Sequence, residues 1–107
     1  MAVISVKKET FNDEILDSEK PVVIDVYASW CGPCQLLSPL FEELAEEMGD
    51  TYTFAKLNVD EERDISIRYG VSSVPTLLFI KERNLVAKET GYMSKETLKE
   101  KIEKYLK

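Results

Sequence analysis

The chain has 107 residues, 44% of them hydrophobic and 32% charged, which is typical of one globular domain with a sizeable core. Its 20 acidic and 14 basic residues give a formal net charge of -6, which argues against nucleic acid and anionic membrane surfaces as partners. No apolar run approaches the roughly 20 residues that span a bilayer, and residues 1–6 lack the basic flank and cleavage site of a signal peptide, so we expect a cytoplasmic location.

The first half of the chain, taken in order, alternates between strand-like and helix-like segments. Residues 22–28 are apolar except at Asp25, a pattern typical of a central strand covered on both faces. A strand, a long helix and another strand in succession predict a right-handed βαβ unit. The predicted elements are a strand at 3–6, a helix capped by Thr10 and ending near Ser18, a strand at 22–28, a helix at 34–48, a strand at 52–59 and a short helix at 61–69.

The second half predicts a hairpin followed by a final helix. Strands at 75–80 and 85–89 are separated by four polar residues, so we expect antiparallel pairing, with Asn84 accepting a left-handed conformation in the turn. Ser94 caps the last helix. The buried stripe of that helix consists of Leu98, Ile102, Tyr105 and Leu106. Together the elements predict an α/β fold, in which a mixed central sheet of about five strands is sandwiched by about four helices.

The only two cysteines lie in the segment Trp30-Cys31-Gly32-Pro33-Cys34, between the predicted central strand and the long helix. Two thiols at this spacing can exchange two electrons as a disulfide, and structural disulfides are rare in the cytoplasm. Pro33 suits the opening of a helix, whose positive dipole end favours a thiolate at Cys31. We therefore expect Cys31 to be the nucleophile and Cys34 the resolving thiol, with Trp30, Gly32 and Pro33 completing the active-site loop. The alternative is an inert cystine or two buried thiols.

The sequence contains no histidine, which excludes Cys-His and Ser-His nucleophilic catalysis. Two thiolates also fall short of the four ligands of a structural zinc site, so we expect no metal. A dimer that shares four thiolates is the alternative. Because a histidine between the cysteines is one source of strong oxidising power, its absence favours a reductant.

Asp25 is a carboxylate within an otherwise apolar strand, where burial would raise its pKa toward neutrality. It lies six residues ahead of Cys31, and its strand leads directly to the active-site turn. We therefore expect Asp25 to accept and return the proton of Cys34. The alternative is an edge-strand charge that reaches solvent. Lys56, on the neighbouring strand, is expected to tune Asp25 electrostatically, unless its amine simply extends to solvent.

Several segments match the order and spacing of one family. They are Val23-Ile24-Asp25, Trp30-Cys31-Gly32-Pro33-Cys34, Lys56-Leu57-Asn58-Val59-Asp60, Val74-Pro75-Thr76 and Gly91. On these segments the chain resembles the thioredoxin family over essentially its whole length, as a single thioredoxin domain at 1–107. The resemblance implies a general protein-disulfide reductase with a redox-active Cys31–Cys34 disulfide and no bound prosthetic group. It also implies the proton-transfer role for Asp25.

The same resemblance implies a surface that docks an extended target peptide beside the cysteines. Pro75 is then a cis-proline that presents the Val74 backbone, although the sequence alone would favour the trans isomer. Trp30 would offer an apolar shelf, and Gly91 would permit close approach of a peptide backbone. The alternatives are a core indole for Trp30 and a turn or bulge glycine for Gly91.

The partners implied by the resemblance are proteins. A thioredoxin reductase, linked to NADPH or to ferredoxin, would return electrons to the disulfide. Ribonucleotide reductase, peroxiredoxin and methionine sulfoxide reductase are examples of the implied oxidised targets. We expect a monomer that serves electron transport and cell redox homeostasis. Ser72 and Ser73 border the docking groove where bacterial relatives often carry a glycine, which leaves the preference for partners open.

Two other functions remain as alternatives. A non-catalytic interaction module of thioredoxin fold would not need both cysteines together with Asp25. A disulfide oxidase or isomerase would usually stabilise its reduced form more strongly than this histidine-free loop suggests.

Overall fold

A five-stranded sheet forms the centre of the molecule, with helices packed on both faces, in a computed structural model that describes residues 2–107. The elements are β1 (Val3–Ser5), a π-helix (Asn12–Leu16), β2 (Val22–Tyr27), α1 (Gly32–Met48), β3 (Thr53–Asn58), α2 (Arg63–Arg68), β4 (Thr76–Lys81), β5 (Asn84–Thr90) and α3 (Lys95–Tyr105). No helix in this described part of the chain has the length and apolar character needed to cross a bilayer.

The strands lie in the order β1-β3-β2-β4-β5. β3 runs parallel to both β1 and β2, whereas β4 pairs antiparallel with both β2 and β5. The β2–α1–β3 stretch is therefore a parallel βαβ unit, and β4 and β5 form a hairpin. The α/β fold predicted from the sequence, with a mixed central sheet between helices, is confirmed.

β2 divides the core because successive side chains of a strand point to opposite faces of its sheet. Val23 belongs to the cluster that packs against α1 and α3. Ile24 and Val26 belong to the cluster on the other face, with the π-helix and α2. Asp25, which shares the face of Val23, is therefore directed toward the side of the sheet that α1 covers.

The first helix differs from its prediction in both cap and winding. Thr10 does not cap it, because its Oγ1 donates to the Lys7 carbonyl at 3.5 Å and no side chain accepts an amide of the first turn. The Asp17 amide bonds to the Asn12 carbonyl, five residues back, at 2.9 Å, which is the π-helical pattern. The turn nevertheless buries Ile15 and Leu16 in the core cluster on this face of the sheet.

The hairpin turn is tighter than the sequence suggests, and the prediction for Asn84 is wrong. Lys81 pairs with Asn84 in the β4–β5 ladder, which leaves only Glu82 and Arg83 in the loop. These two residues have φ angles of 51° and 71°, whereas Asn84 begins β5. A two-residue hairpin loop of this kind needs positive φ at both central positions. An ion pair between Arg83 and Asp17 ties the turn to the end of the π-helix.

Glu82→Asn should stabilise this turn, because asparagine tolerates the left-handed region better than glutamate does. We expect the free energy of unfolding to rise by about 0.5–1 kcal/mol, measured by urea denaturation. Glu19→Asn, at an exposed position whose φ is not left-handed, is the matched control. A gain no larger than that of the control would contradict the expectation.

Candidate functional site

Cys31 joins the end of β2 to α1 and serves as the N-cap of that helix. Its φ and ψ of -93° and 118° are those of an extended residue, and its Sγ accepts the backbone N–H of Cys34 at 3.2 Å. Pro33 lies in the first turn, where its missing N–H costs no hydrogen bond. The Cys31 sulfur therefore lies at the N-terminal end of the helix, where it accepts one of the unpaired amides and faces the positive end of the helix dipole.

The two thiols occupy different environments although they are three residues apart. Both are free cysteines; Cys31 is 6% exposed and Cys34 is 2% exposed. The Sγ of Cys31 lies 3.8 Å from the Val74 carbonyl, to which its thiol can donate. Burial, followed by the hydrogen bond with Cys31, raises the pKa of Cys34 to about 12. Cys34 thus needs a base before it can act as a nucleophile.

The carboxyl group of Asp25 is the candidate for that base. β2 lies between β3 and β4, and Asp25 is 0% exposed, so the alternative of an edge-strand charge is wrong. Neither carboxyl oxygen has a hydrogen-bond partner anywhere in residues 2–107. Burial raises the pKa of Asp25 to about 7, Lys56 lowers it, and Glu42 raises it. The carboxylate charge in turn makes a small contribution to the raised pKa of Cys34.

Lys56 lies beside Asp25 in the β2–β3 register, but its ammonium is bonded elsewhere. Its Nζ donates to Ser38 Oγ at 2.5 Å and to Glu42 Oε2 at 3.4 Å, both on α1. The same nitrogen lies 4.8 Å from the centre of the Tyr27 ring. Lys56 is therefore held against the protein rather than extended freely into solvent.

A cleft of about 700 Å³ opens beside Cys31. Its lining consists of Trp30, Val59, Asp60, Arg63, Ser66, Ile67, Val71, Ser72, Ser73 and Val74. Trp30 is 71% exposed, and its Nε1 donates to Asp60 Oδ2 at 3.0 Å, so it is a surface indole rather than a core one. The exposed ring is thus held in a fixed place beside the cysteines.

Val74 lines this cleft, and the residue after it, Pro75, is hydrogen-bonded to Gly91 in a region with two unusual backbone positions. The Val74–Pro75 peptide bond is cis, the isomer implied by the resemblance and not the one that the sequence alone favours. The Gly91 amide donates to the Pro75 carbonyl at 2.8 Å, and Gly91 has a φ of 101°. Apart from its two chain neighbours, a Cβ added to Gly91 would meet no heavy atom of residues 2–107 within 4 Å. Position 91 therefore favours glycine because of its positive φ, and not because a neighbouring atom would clash with a side chain.

Four residues of this region were not singled out from the sequence. Asp60 lies in one of the segments that carry the family resemblance, but its bond to Trp30 joins two loops that are 30 residues apart. Ile67 is 68% exposed in α2, and the Ile-x-Ile spacing of that helix does not indicate which of the two isoleucines is buried. Ser38 and Glu42 share one face of α1 by their i,i+4 spacing. The position of Lys56 above that face depends on the tertiary fold, so no local pattern in the sequence indicates the contact.

The described residues 2–107 contain no group of three or more His, Cys, Asp or Glu side chains arranged to hold a metal ion. The titratable groups that the structure brings together here are the two thiols and the carboxyl group of Asp25.

Comparison with known proteins agrees with this arrangement. The family model for thioredoxin matches residues 2–104. A thioredoxin from Bacillus subtilis is 41% identical over 106 residues, which cover 99% of this chain and 100% of that protein. A thioredoxin from Chlorobaculum thiosulfatiphilum is 43% identical over 98 residues, covering 92% and 91% of the two chains. Thioredoxin 1 of Nostoc sp. is 37% identical over 105 residues, covering 98% of each.

Proposed function

Because this chain belongs to the thioredoxin family and is a thiol–disulfide reductase, we propose a role in that reaction for each residue of its site. Cys31, as thiolate, attacks one sulfur of a target disulfide. The target S–S bond breaks, a mixed disulfide forms, and the other target sulfur leaves as a thiolate that takes up a proton. The observation that carries this assignment is the Cys31 Sγ at the N-cap of α1, accepting the Cys34 amide.

The second step regenerates the target as a dithiol. Asp25, as carboxylate, accepts the proton of Cys34, and the Cys34 thiolate attacks the Cys31 sulfur. The mixed disulfide breaks, the second target thiolate leaves, and the Cys31–Cys34 disulfide remains, so two electrons have passed to the target. A pKa of about 7 supports this role, because it makes Asp25 an effective base near neutral pH. Lys56 tunes the charge of Asp25.

The target docks in the cleft beside Cys31. The exposed Trp30 ring supplies apolar contact area, and the Val74 backbone next to cis Pro75 offers hydrogen-bonding groups to an extended peptide. Gly91 leaves room for the peptide backbone on the other side of Pro75. Together with Gly32 and Pro33 of the active-site loop, these residues would align the target disulfide with Cys31.

The proposed biological setting is cytoplasmic. A thioredoxin reductase linked to NADPH or to ferredoxin would reduce the Cys31–Cys34 disulfide, and the chain would pass electrons to oxidised proteins such as ribonucleotide reductase, peroxiredoxin or methionine sulfoxide reductase. The whole chain, 1–107, would act as one monomeric domain without a bound prosthetic group. Its acidic surface gives it no electrostatic attraction to nucleic acid or anionic lipid.

The equilibrium reduction potential of the Cys31–Cys34 pair tests the direction of this chemistry. We expect a value at or below about -220 mV, the upper part of the glutathione range in the cytosol. Alkylation and mass shift in graded thiol buffers give the measurement. A value near or above roughly -180 mV, typical of disulfide isomerases and oxidases, would contradict the assignment as a reductant.

A further inference from the structure

Lys56 is bonded to two residues of α1 while the carboxyl beside it has no partner. Its Nζ contacts Ser38 Oγ and Glu42 Oε2, and Ser38 Oγ also donates to Glu42 Oε2 at 3.2 Å, which closes a three-membered network. Both oxygens of Asp25 lack hydrogen-bond partners within residues 2–107. We propose that Ser38 and Glu42 are positioning residues that hold the Lys56 ammonium off Asp25 and so preserve the ability of Asp25 to accept the Cys34 proton.

Few charged or titratable groups other than Lys56 face Asp25. β3 contributes Lys56, α1 contributes Glu42 and Cys34, and β2 itself contributes Tyr27, whose ring lies under the Lys56 ammonium. On the other side, the register partner on β4 is the apolar Leu77. α3 covers the same face of the sheet, but its lysines that form ion pairs bond to β5 and to the outer turns of α1. Lys56 is thus the positive charge that acts on Asp25.

A cation released onto Asp25 would change its chemistry. An opposite charge within about 4–6 Å favours the ionised carboxylate and lowers its pKa by one to three units. A hydrogen-bonded ion pair would also make Asp25 a weaker base for Cys34. The Ser38 hydroxyl and the Glu42 carboxylate compete for the same ammonium, so they oppose this pairing. The proposal rests on the proposed role of Asp25 as base, and it assigns the control of that base to α1.

Glu42 and Lys56 also line a cleft of about 270 Å³ with Glu46, one turn farther along α1. Glu46 therefore carries the same charge on the same cleft, and it has no ion pair with Lys56 within residues 2–107. This makes Glu46→Gln a matched control for Glu42→Gln. Ser38→Ala removes the uncharged partner of the Lys56 ammonium, whereas Ser38→Thr keeps a hydroxyl at that position.

The experiment is a titration of Asp25 in the reduced protein, read from its carboxyl carbon by NMR. We expect Glu42→Gln to lower the pKa of Asp25 by about one unit and Ser38→Ala to lower it by less. Ser38→Thr should return the wild-type value, and Glu46→Gln should shift it by no more than about 0.3 units, as a screened surface charge does. The acid limb of the rate of mixed-disulfide resolution should move with the titration.

A double-mutant cycle shows whether Glu42 acts through Lys56. In the Lys56→Met background, the shift caused by Glu42→Gln should shrink to less than half. An undiminished shift there, or equal shifts for Glu42→Gln and Glu46→Gln, would overturn the proposal. The titration does not depend on turnover. A protein that titrates as expected but reduces no disulfide would therefore contradict the proposed function and leave the positioning role standing.

Discussion

Cys34→Ser is expected to stop the reaction at the mixed disulfide and to lower multiple-turnover disulfide reduction by at least about 10³-fold, as loss of a covalent step does. The variant keeps Cys31 at the N-cap of α1, and the serine amide still bonds to its sulfur, so the first attack proceeds. No sulfur remains to release the target. Mass spectrometry after reaction with a small disulfide-bonded protein should show one covalent adduct per chain, which dithiothreitol removes.

Cys31→Ser is the matched control, because it leaves the other thiol in place. Cys34 is 2% exposed and its pKa is raised to about 12, so it should neither attack the target nor form the adduct. Turnover should fall at least as far as in Cys34→Ser. An adduct that accumulates with Cys31→Ser and not with Cys34→Ser would reverse the roles of the two cysteines.

Asp25 is expected to make the reduced protein less stable as the pH rises from about 4 to about 7. Burial raises its pKa from 3.8 to about 7, so in this interval the native state keeps a proton that the unfolded chain has released. Stability therefore falls with rising pH through this window and levels off above the folded pKa. Three pKa units correspond to about 4 kcal/mol, an order-of-magnitude figure for a carboxyl that is wholly buried.

Asp25→Asn isolates this contribution, because the amide has nearly the same shape and does not titrate. We expect the free energy of unfolding of the variant, minus that of the wild type, to rise by about 4 kcal/mol between about pH 4 and about pH 8. Urea denaturation of the reduced proteins gives the difference. Asp50→Asn, at an exposed position, should show no comparable trend. Parallel pH profiles for the wild type and Asp25→Asn would contradict the raised pKa.

The sequence was informative where one residue type departs from its local pattern. Asp25 stands out because its neighbours are apolar on both faces of a strand, and the structure buries it completely. The Cys31–Cys34 spacing likewise placed both sulfurs at the start of a helix, because Gly32 and Pro33 favour a turn that leads into one. Such features are local, so a pattern of a few residues is enough to predict them.

The rest of the site depends on contacts between elements that are distant in the chain. Nothing near Lys56 in the sequence indicates that its ammonium lies over Ser38, because that contact is set by the packing of α1 across β3. The bond between Trp30 and Asp60 has the same origin. At the hairpin, the pairing of Lys81 with Asn84 places Glu82 and Arg83 in the left-handed region. Neither residue is glycine or asparagine, so their own preferences do not predict this turn. Tertiary structure decides such cases.

The Cys31 sulfur, the proposed reacting atom, is also the acceptor that holds the first turn of α1. As a thiolate it accepts the Cys34 amide through a charge-assisted bond, which is stronger than a bond to a neutral sulfur. Once Cys31 is joined to a target, that charge is gone and the turn loses part of its anchor. The first turn of the helix is then held less firmly at the step in which Cys34 attacks Cys31 in the proposed reaction. Each cycle of the proposed reaction would thus weaken the N-terminal turn of α1 for as long as the mixed disulfide exists.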